Sequence, residues 1–262
     1  MTNANLSKQL DALTLAKIID HTILGATATK TDIRRICEEA KSFGAGSVCV
    51  NPYWVRTVAD SLKDSETNVC TVVGFPLGAS AAKAKETAQA LLGGAQEIDM
   101  VANIGLLKEA SISDYAADIR DVAREVKAAG GVLKVIIETC YLTNEQKSIA
   151  ARTAAAVGLE VGVHTFVKTS TGFGTPPAGT AKGATIPDVV LLRTAVGPYS
   201  ERHIGIKASG GIGDAKNALD MIIAAGGLNS DGKIYEPLRD VVRIGASAGV
   251  KIVNEYRSSR QP

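Results

Sequence analysis

The sequence predicts an α/β protein folded as a single (β/α)8 barrel, with residues 1–262 as one domain opening on a short N-terminal helix. Three observations predict it. Short apolar runs alternate with amphipathic helical stretches from end to end. Most of the runs are nearly continuous rather than alternating, as parallel strands covered on both faces require. Eight such units fit within 262 residues with no Pro/Ser-rich linker between them. An open doubly wound sheet is the competing arrangement of this pattern, and the unit count favours the closed one.

In chain order, the strands are expected at Ile18–Leu24, Ser47–Asn51, Val69–Phe75, Glu97–Ala102, Leu133–Glu138, Thr165–Thr169, Ile204–Ala208 and Val241–Gly245. Each is rich in β-branched residues and bounded by polar or glycine-containing segments. Helices are expected between them. Ser80 is placed to cap Ala81–Leu92, which Gly93–Gly94 ends. Thr143 with Gln146 forms a capping-box pattern. Gly44, Gly130 and Gly158 stand where helix C-termini need a left-handed residue. Two segments, Gly174–Ile186 and Gly226–Pro237, exceed ordinary loop length.

Composition excludes several functions. The 29 basic and 27 acidic residues nearly cancel, and no basic stripe interleaves with aromatics, so nucleic acid is not an expected partner. No apolar run approaches membrane-spanning length, and the N-terminal residues lack a signal-peptide pattern. Cys37, Cys49, Cys70 and Cys140 lie far apart, and the three histidines show no zinc spacing. A reduced, cytoplasmic protein without a metal is expected.

Two lysines carry the chemistry. Lys168 and Lys207 each end an apolar, β-branched run and share a local pattern of lysine, small residue, serine and glycine. A buried ammonium either pairs with a carboxylate or loses its proton more readily, and a second nearby cation adds to the latter effect. Barrel enzymes draw catalytic groups from the C-terminal ends of their strands. That rule selects Lys168 and Lys207, with Asp99 inside the fourth strand, Asp20 in the first, and Lys134 and Glu138 along the fifth. A free lysine of pKa near ~10.4 is well under ~1% neutral at pH 7, so lowering it by about 3 units raises the nucleophilic fraction on the order of a thousandfold. A strand lysine also serves simply as a snorkelling side chain, and a lone aspartate as its partner. Two lysines with carboxylates on neighbouring strands point instead to Schiff-base chemistry.

Glycine-rich segments follow the last three strands: Ser170–Gly174, Ser209–Gly213 and Gly245–Gly249. Such loops let backbone N–H groups approach an anion, and those after strands seven and eight form a recurrent phosphate site in barrels. Turn geometry alone also explains glycines here. Two adjacent loops carrying serines favour phosphate, with Gly172, Gly210, Gly211, Gly245 and Ser247 as candidates.

The segments Ile19–Thr22, Ser47–Pro52, Glu97–Val101, Leu133–Thr139, Phe166–Gly172 and Ile206–Gly211 together resemble the deoxyribose-phosphate aldolase family, in order from about residue 13 to residue 253. The resemblance implies a class I aldolase on a TIM barrel, with no metal or organic cofactor, that reversibly splits 2-deoxy-D-ribose 5-phosphate into acetaldehyde and glyceraldehyde 3-phosphate. It implies Lys168 as the Schiff-base lysine and Lys207 as the lysine that tunes it. Asp99 relays protons with Lys207, and Asp20, Thr169 and Lys134 support them. It also implies a homo-oligomer, dimer or tetramer, with small aldehydes and sugar phosphates as the molecules bound. Another lysine-dependent aldolase or Schiff-base synthase, and a non-catalytic sugar-phosphate-binding barrel, are the alternatives.

Departures from the family pattern concern the phosphate. Phe173 stands where many members have lysine, and Gly213 where many have arginine. Ala248 follows Ser247 where a second serine is common, and Leu24–Gly25–Ala26 replaces a Leu-Lys-Pro continuation. A weaker dependence on the 5-phosphate is therefore expected, with Lys182 as a distant compensating charge. Cys49 is expected to be a small buried hydrophobe, alkylated by unsaturated aldehydes only if it lines the cavity.

Overall fold

The computed structural model describes residues 3–197 and 204–260, with side chains from Leu6 onward. Eight parallel strands close into a barrel in sequence order: β1 Ile19–Ile23, β2 Ser47–Val50, β3 Asn68–Val73, β4 Glu97–Val101, β5 Val132–Ile136, β6 His164–Lys168, β7 Ile204–Ser209 and β8 Val242–Ala246. All eight expected strands are present. Between and around them lie α1 Asn3–Gln9, α2 Ala12–Lys17, α3 Lys30–Phe43, α4 Val55–Leu62, α5 Lys83–Leu92, α6 Ile104–Lys108, α7 Ile112–Ala128, α8 Asn144–Val161, α9 Ile186–Val196, α10 Ala215–Ala224 and α11 Gly249–Ser258. No described helix is long and apolar enough to cross a membrane.

Local signals act mostly as the sequence implies. Thr143 and Gln146 close a reciprocal capping box at the start of α8, and Gly44 ends α3 in the left-handed conformation. Two expectations need correction. Ser80 accepts a hydrogen bond from the Ala82 amide in a turn, and α5 begins only at Lys83. Gly158 lies inside α8, whose C-cap is Gly162, because a Cβ at 158 would run into the Thr165 side chain of β6. Its smallness serves close helix–sheet packing.

Side chains alternate along each strand, and the two faces divide the labour. The outward face meets the helices through residues such as Val48, Ile98, Val135, Val167, Ile206 and Ile244, all in the main apolar core. The inward face is unusually polar. Asp20, Glu97, Asp99, Lys134, Lys207 and Arg243 are all buried within the closed sheet. Phe166 fills the space between them because Gly205 on β7 has no side chain to meet its ring, and the Arg243 guanidinium lies 5.8 Å from that ring's centroid. Near the mouth, Leu24, Cys49, Cys70, Val72 and Phe75 form a separate apolar cluster.

Candidate active site

Strand pairing sets Lys168 of β6 directly beside Lys207 of β7, and Asp99 of β4 beside Lys134 of β5. These four inward side chains meet across the lumen. Asp99 Oδ2 accepts from Lys168 Nζ and from Lys207 Nζ, each at 2.6 Å. Lys207 Nζ also lies 2.5 Å from Asp20 Oδ2. Lys134 Nζ sits among three carboxylates, 3.0 Å from Asp20, 2.5 Å from Glu97 and 3.0 Å from Asp99. Arg243 closes the network below, 2.7 Å from Asp20 Oδ1 and 2.5 Å from Glu97 Oε1.

Burial opposes every one of these charges, so their states follow from their neighbours. For Asp99, burial raises the carboxyl pKa, but Lys134, Lys168 and Lys207 more than offset it and hold the group well below the usual range. Asp20 and Glu97 are held down in the same way, Asp20 by Lys134, Lys207 and Arg243, and Glu97 by Arg243 and Lys134. Burial likewise works against Lys207, yet Asp20 and Asp99 keep its pKa above that of a free lysine. Lys134 is raised further by the same two aspartates with Cys70 and Glu97. Lys207 therefore stays a cation, fixed between two carboxylates.

The ionic network has four basic groups and three acids. Losing one proton leaves it neutral, and only one of the four bases can present a free amine to a substrate. Lys168 lines a cavity of about 440 Å³ at the C-terminal mouth of the barrel, with Thr22, Leu24, Thr171, Phe173, Ser209 and the glycine loops. Lys134, Lys207 and Arg243 lie beneath it. Lys168 is the only charged side chain among the lining residues. Geometry thus breaks the apparent equivalence of the two lysine motifs.

The supporting residues take distinct places. Thr169 turns away from the cavity: its hydroxyl donates to the Ser209 carbonyl and accepts from the Ser209 amide, each at 3.1 Å, tying the ends of β6 and β7 together. Gly210, Gly211, Gly245 and Ser247 line the cavity as expected. Gly172 does not; it backs Gly210 instead, with φ +82°. Gly245 has a second duty, since a Cβ there would stand 3.2 Å from Lys207 Cε and 2.9 Å from Ser209 Cβ. Ser247 and Ala248 precede α11, which has no side-chain cap, so its first N–H groups are available to an anion. Lys182 is exposed and outside the cavity lining. Phe173 packs edge-on against Phe75, with ring centroids 5.2 Å apart, forming an apolar lip where a phosphate-binding lysine was expected to be missing.

Cys49 is fully buried, faces Cys70 on β3 and does not line the cavity, which removes the condition set for its alkylation. Cys49, Cys70 and Asp99 offer donor atoms close to one another, but both Asp99 oxygens already face lysines and Cys70 Sγ lies 3.3 Å from Lys134 Nζ. That donor set is occupied by the network and does not fit a metal. Glu97, Arg243 and Thr171 belong to the site and were not singled out from the sequence. Glu97 and Arg243 are charges inside otherwise apolar strand runs, which is the signal that identifies them.

Comparison with known proteins agrees with this geometry. A model of the DeoC/LacD family aldolases matches residues 14–255. The chain is 44% identical over 255 residues to a deoxyribose-phosphate aldolase of Caldanaerobacter subterraneus subsp. tengcongensis, covering 96% of this chain and 97% of that protein. It is 46% identical over 243 residues to deoxyribose-phosphate aldolase 1 of Bacillus licheniformis, covering 91% and 94%. Among solved structures it resembles the tetrameric deoxyribose phosphate aldolase from Aeropyrum pernix, with a TM-score of 0.78 at 27% identity, covering 98% and 97% of the two chains.

Proposed function

The chain belongs to the DeoC/LacD family of aldolases, and on that premise we propose that it reversibly cleaves 2-deoxy-D-ribose 5-phosphate to acetaldehyde and D-glyceraldehyde 3-phosphate through a Schiff base on Lys168. The observation that carries the assignment is the position of Lys168: its amine is in the cavity wall, and its only carboxylate partner is the Asp99 oxygen that Lys207 shares.

The neutral Lys168 amine adds to C1 of the open-chain sugar, and loss of water gives an iminium. The C2–C3 bond then breaks. Its electron pair enters the C1–C2 enamine, the C3 hydroxyl gives up its proton, and C3 becomes the carbonyl of glyceraldehyde 3-phosphate. Protonation of the enamine at C2 and addition of water release acetaldehyde and restore the lysine. Lys207, held cationic by Asp20 and Asp99, disfavours a second positive charge beside it and so promotes the neutral form of its neighbour. With Asp99 it relays protons through water during carbinolamine dehydration. Thr169, Lys134 and Asp20 hold these groups in place.

Borohydride reduction in the presence of acetaldehyde, followed by peptide mapping, tests the assignment. An N-ethyl adduct on Lys168 is the expected product. Labelling confined to Lys207, or a complete lack of labelling, would overturn it and return the choice to a different lysine-dependent enzyme or a non-catalytic barrel.

The phosphate is held by backbone donors of Gly210, Gly211 and Gly245, by Ser247 and by the start of α11, without a lysine or arginine in the cavity wall. A charge-assisted hydrogen bond contributes about 1.5–3 kcal/mol. The preference for phosphorylated over unphosphorylated deoxyribose, as a kcat/KM ratio, is therefore expected to be roughly 10- to 100-fold smaller than in relatives that have both cations. An equal ratio would show that backbone donors compensate fully. The same reading carries a cytoplasmic location, where phosphorylated sugars are held, and a homo-oligomeric assembly, in keeping with the tetramer described for the Aeropyrum pernix protein.

A further inference from the structure

Cleavage requires the C3 hydroxyl to lose a proton as the C2–C3 bond breaks, and a second buried carboxylate stands ready for it. Glu138 lies two residues beyond β5 rather than along it, fully enclosed, with its backbone in the left-handed region at φ 53°, ψ 70°. A non-glycine residue keeps that conformation only when its surroundings over-determine it. Here the side chain is committed to the loop after β6. The Glu138 carboxylate accepts from the Thr171 amide at 3.2 and 3.3 Å, and from the Thr171 hydroxyl in a contact shorter than an ordinary hydrogen bond. The Phe173 amide donates to the Thr171 oxygen at 2.9 Å.

A hydroxyl has one proton and two acceptor lone pairs. At Thr171 the proton points to Glu138 and one lone pair is taken by Phe173. The remaining lone pair belongs to an atom of a cavity-lining residue, on the same wall as Lys168. It is placed to accept a hydrogen bond from a substrate hydroxyl.

We propose that the Thr171 hydroxyl receives the proton of the substrate's C3 hydroxyl during carbon–carbon cleavage while passing its own to Glu138, and that the pair returns it during synthesis. The proposal rests on the Schiff-base reading above. The bookkeeping balances without a further reagent: C3–O–H becomes C3=O, the C2–C3 pair becomes the enamine, and the iminium nitrogen receives the displaced electrons. The proton on Glu138 leaves by the same hydroxyl when product departs. Thr171 touches the substrate, and Glu138 is a positioning residue acting through it.

The surroundings of Glu138 suit the task. Burial raises its carboxyl above the usual range, against the hydrogen bonds from Thr171 and Cys140 and the nearby charge of Lys168. Cys140, on the same loop, has its thiol pushed up to about 11 by burial and by Glu138 itself. Tyr141 accepts from the Thr175 amide at 2.6 Å, and Lys147 on α8 is paired with Asp188 at 2.6 Å. Lys168 is thus the cation among these groups that acts on Glu138. An acid with a pKa moved toward the working pH is an efficient proton acceptor.

Glu138→Gln, Thr171→Val and Thr171→Ser in the full chain test the relay. Each is assayed for acetaldehyde trapping on Lys168 and for deoxyribose 5-phosphate cleavage across pH. Glu138→Gln and Thr171→Val are expected to trap at near wild-type rates while kcat falls roughly 100- to 1000-fold with KM changed only a few-fold. The acid limb of the kcat profile that reports Glu138 flattens in Glu138→Gln, and Thr171→Ser recovers most of the activity. A wild-type kcat and pH profile in Glu138→Gln would overturn the relay, as would a rise in KM alone in both Glu138→Gln and Thr171→Val. If Glu138→Gln does not fold, Thr171→Val decides by the same criteria. Failure of the wild-type protein itself to trap would instead remove the Schiff-base reading and the relay with it.

Discussion

Lys168→Met is expected to lower kcat/KM for cleavage of 2-deoxyribose 5-phosphate by at least about 10⁴-fold, the scale seen when a covalent nucleophile is removed. The variant forms no carbon–nitrogen bond with substrate and gives no borohydride-stable adduct. Its fold is expected to survive. Removing Lys168 leaves Lys134, Lys207 and Arg243 facing Asp20, Glu97 and Asp99, three cations against three acids, and each acid keeps at least one contact with a base. Thermal unfolding within a few degrees of wild type, together with lost turnover, is the combined result that identifies a nucleophile. Retained trapping on another lysine would refute the assignment.

Lys134→Met is expected to act in the opposite way, on stability first. Lys134 is the one base in the network that touches all three acids. Its removal brings Asp20, Glu97 and Asp99 together with no cation between them. Breaking a buried ionic contact from one side costs about 3–5 kcal/mol. At roughly 2 °C per kcal/mol for a domain of this size, the midpoint of thermal unfolding falls by about 6–10 °C. The pH dependence follows from the signs. Asp20 and Asp99 have folded pKa values below their unfolded ones, so their contribution is complete above the ordinary carboxylate pKa of about 3.9 and is lost as pH falls further. Lys207 is raised, so its contribution is complete below about 10.4 and is lost at higher pH. With Lys134 gone the aspartates are depressed less, and the acid-side slope of denaturation free energy becomes shallower. A variant as stable as wild type at neutral pH would show that the acids find other partners.

Most of the catalytic core is legible before folding because its residues break a local pattern. A lysine at the end of Thr165–Phe166–Val167 or inside Ile204–Gly205–Ile206, and an aspartate inside Glu97–Ile98–Asp99–Met100–Val101, are expensive where they stand unless they pair. Glu97 and Arg243 obey the same rule but were hidden, one as the first residue of a strand and the other between valine and isoleucine. Their importance follows from whom they meet. Arg243 reaches Asp20 across 223 residues because β8 closes on β1. Glycines were the least readable class. The same residue type served as an α8 packing surface at Gly158, clearance for Lys207 at Gly245, and cavity wall at Gly210.

The sequence by itself determined the eight strands, the period-2 division of each into a helix-facing and a lumen-facing side, and the presence of more bases than a quiet interior would hold. Those are local properties, set by side-chain alternation, branching and the cost of burying charge. Only the closed barrel decided which lysine is a nucleophile and which a fixed cation. Strand order and register place Lys168 in the cavity wall and Lys207 beneath it between Asp20 and Asp99, and no property confined to either lysine's own segment contains that difference. The coupling of Glu138 to Thr171 was decided the same way, by a left-handed turn after β5 meeting a loop 33 residues further along the chain.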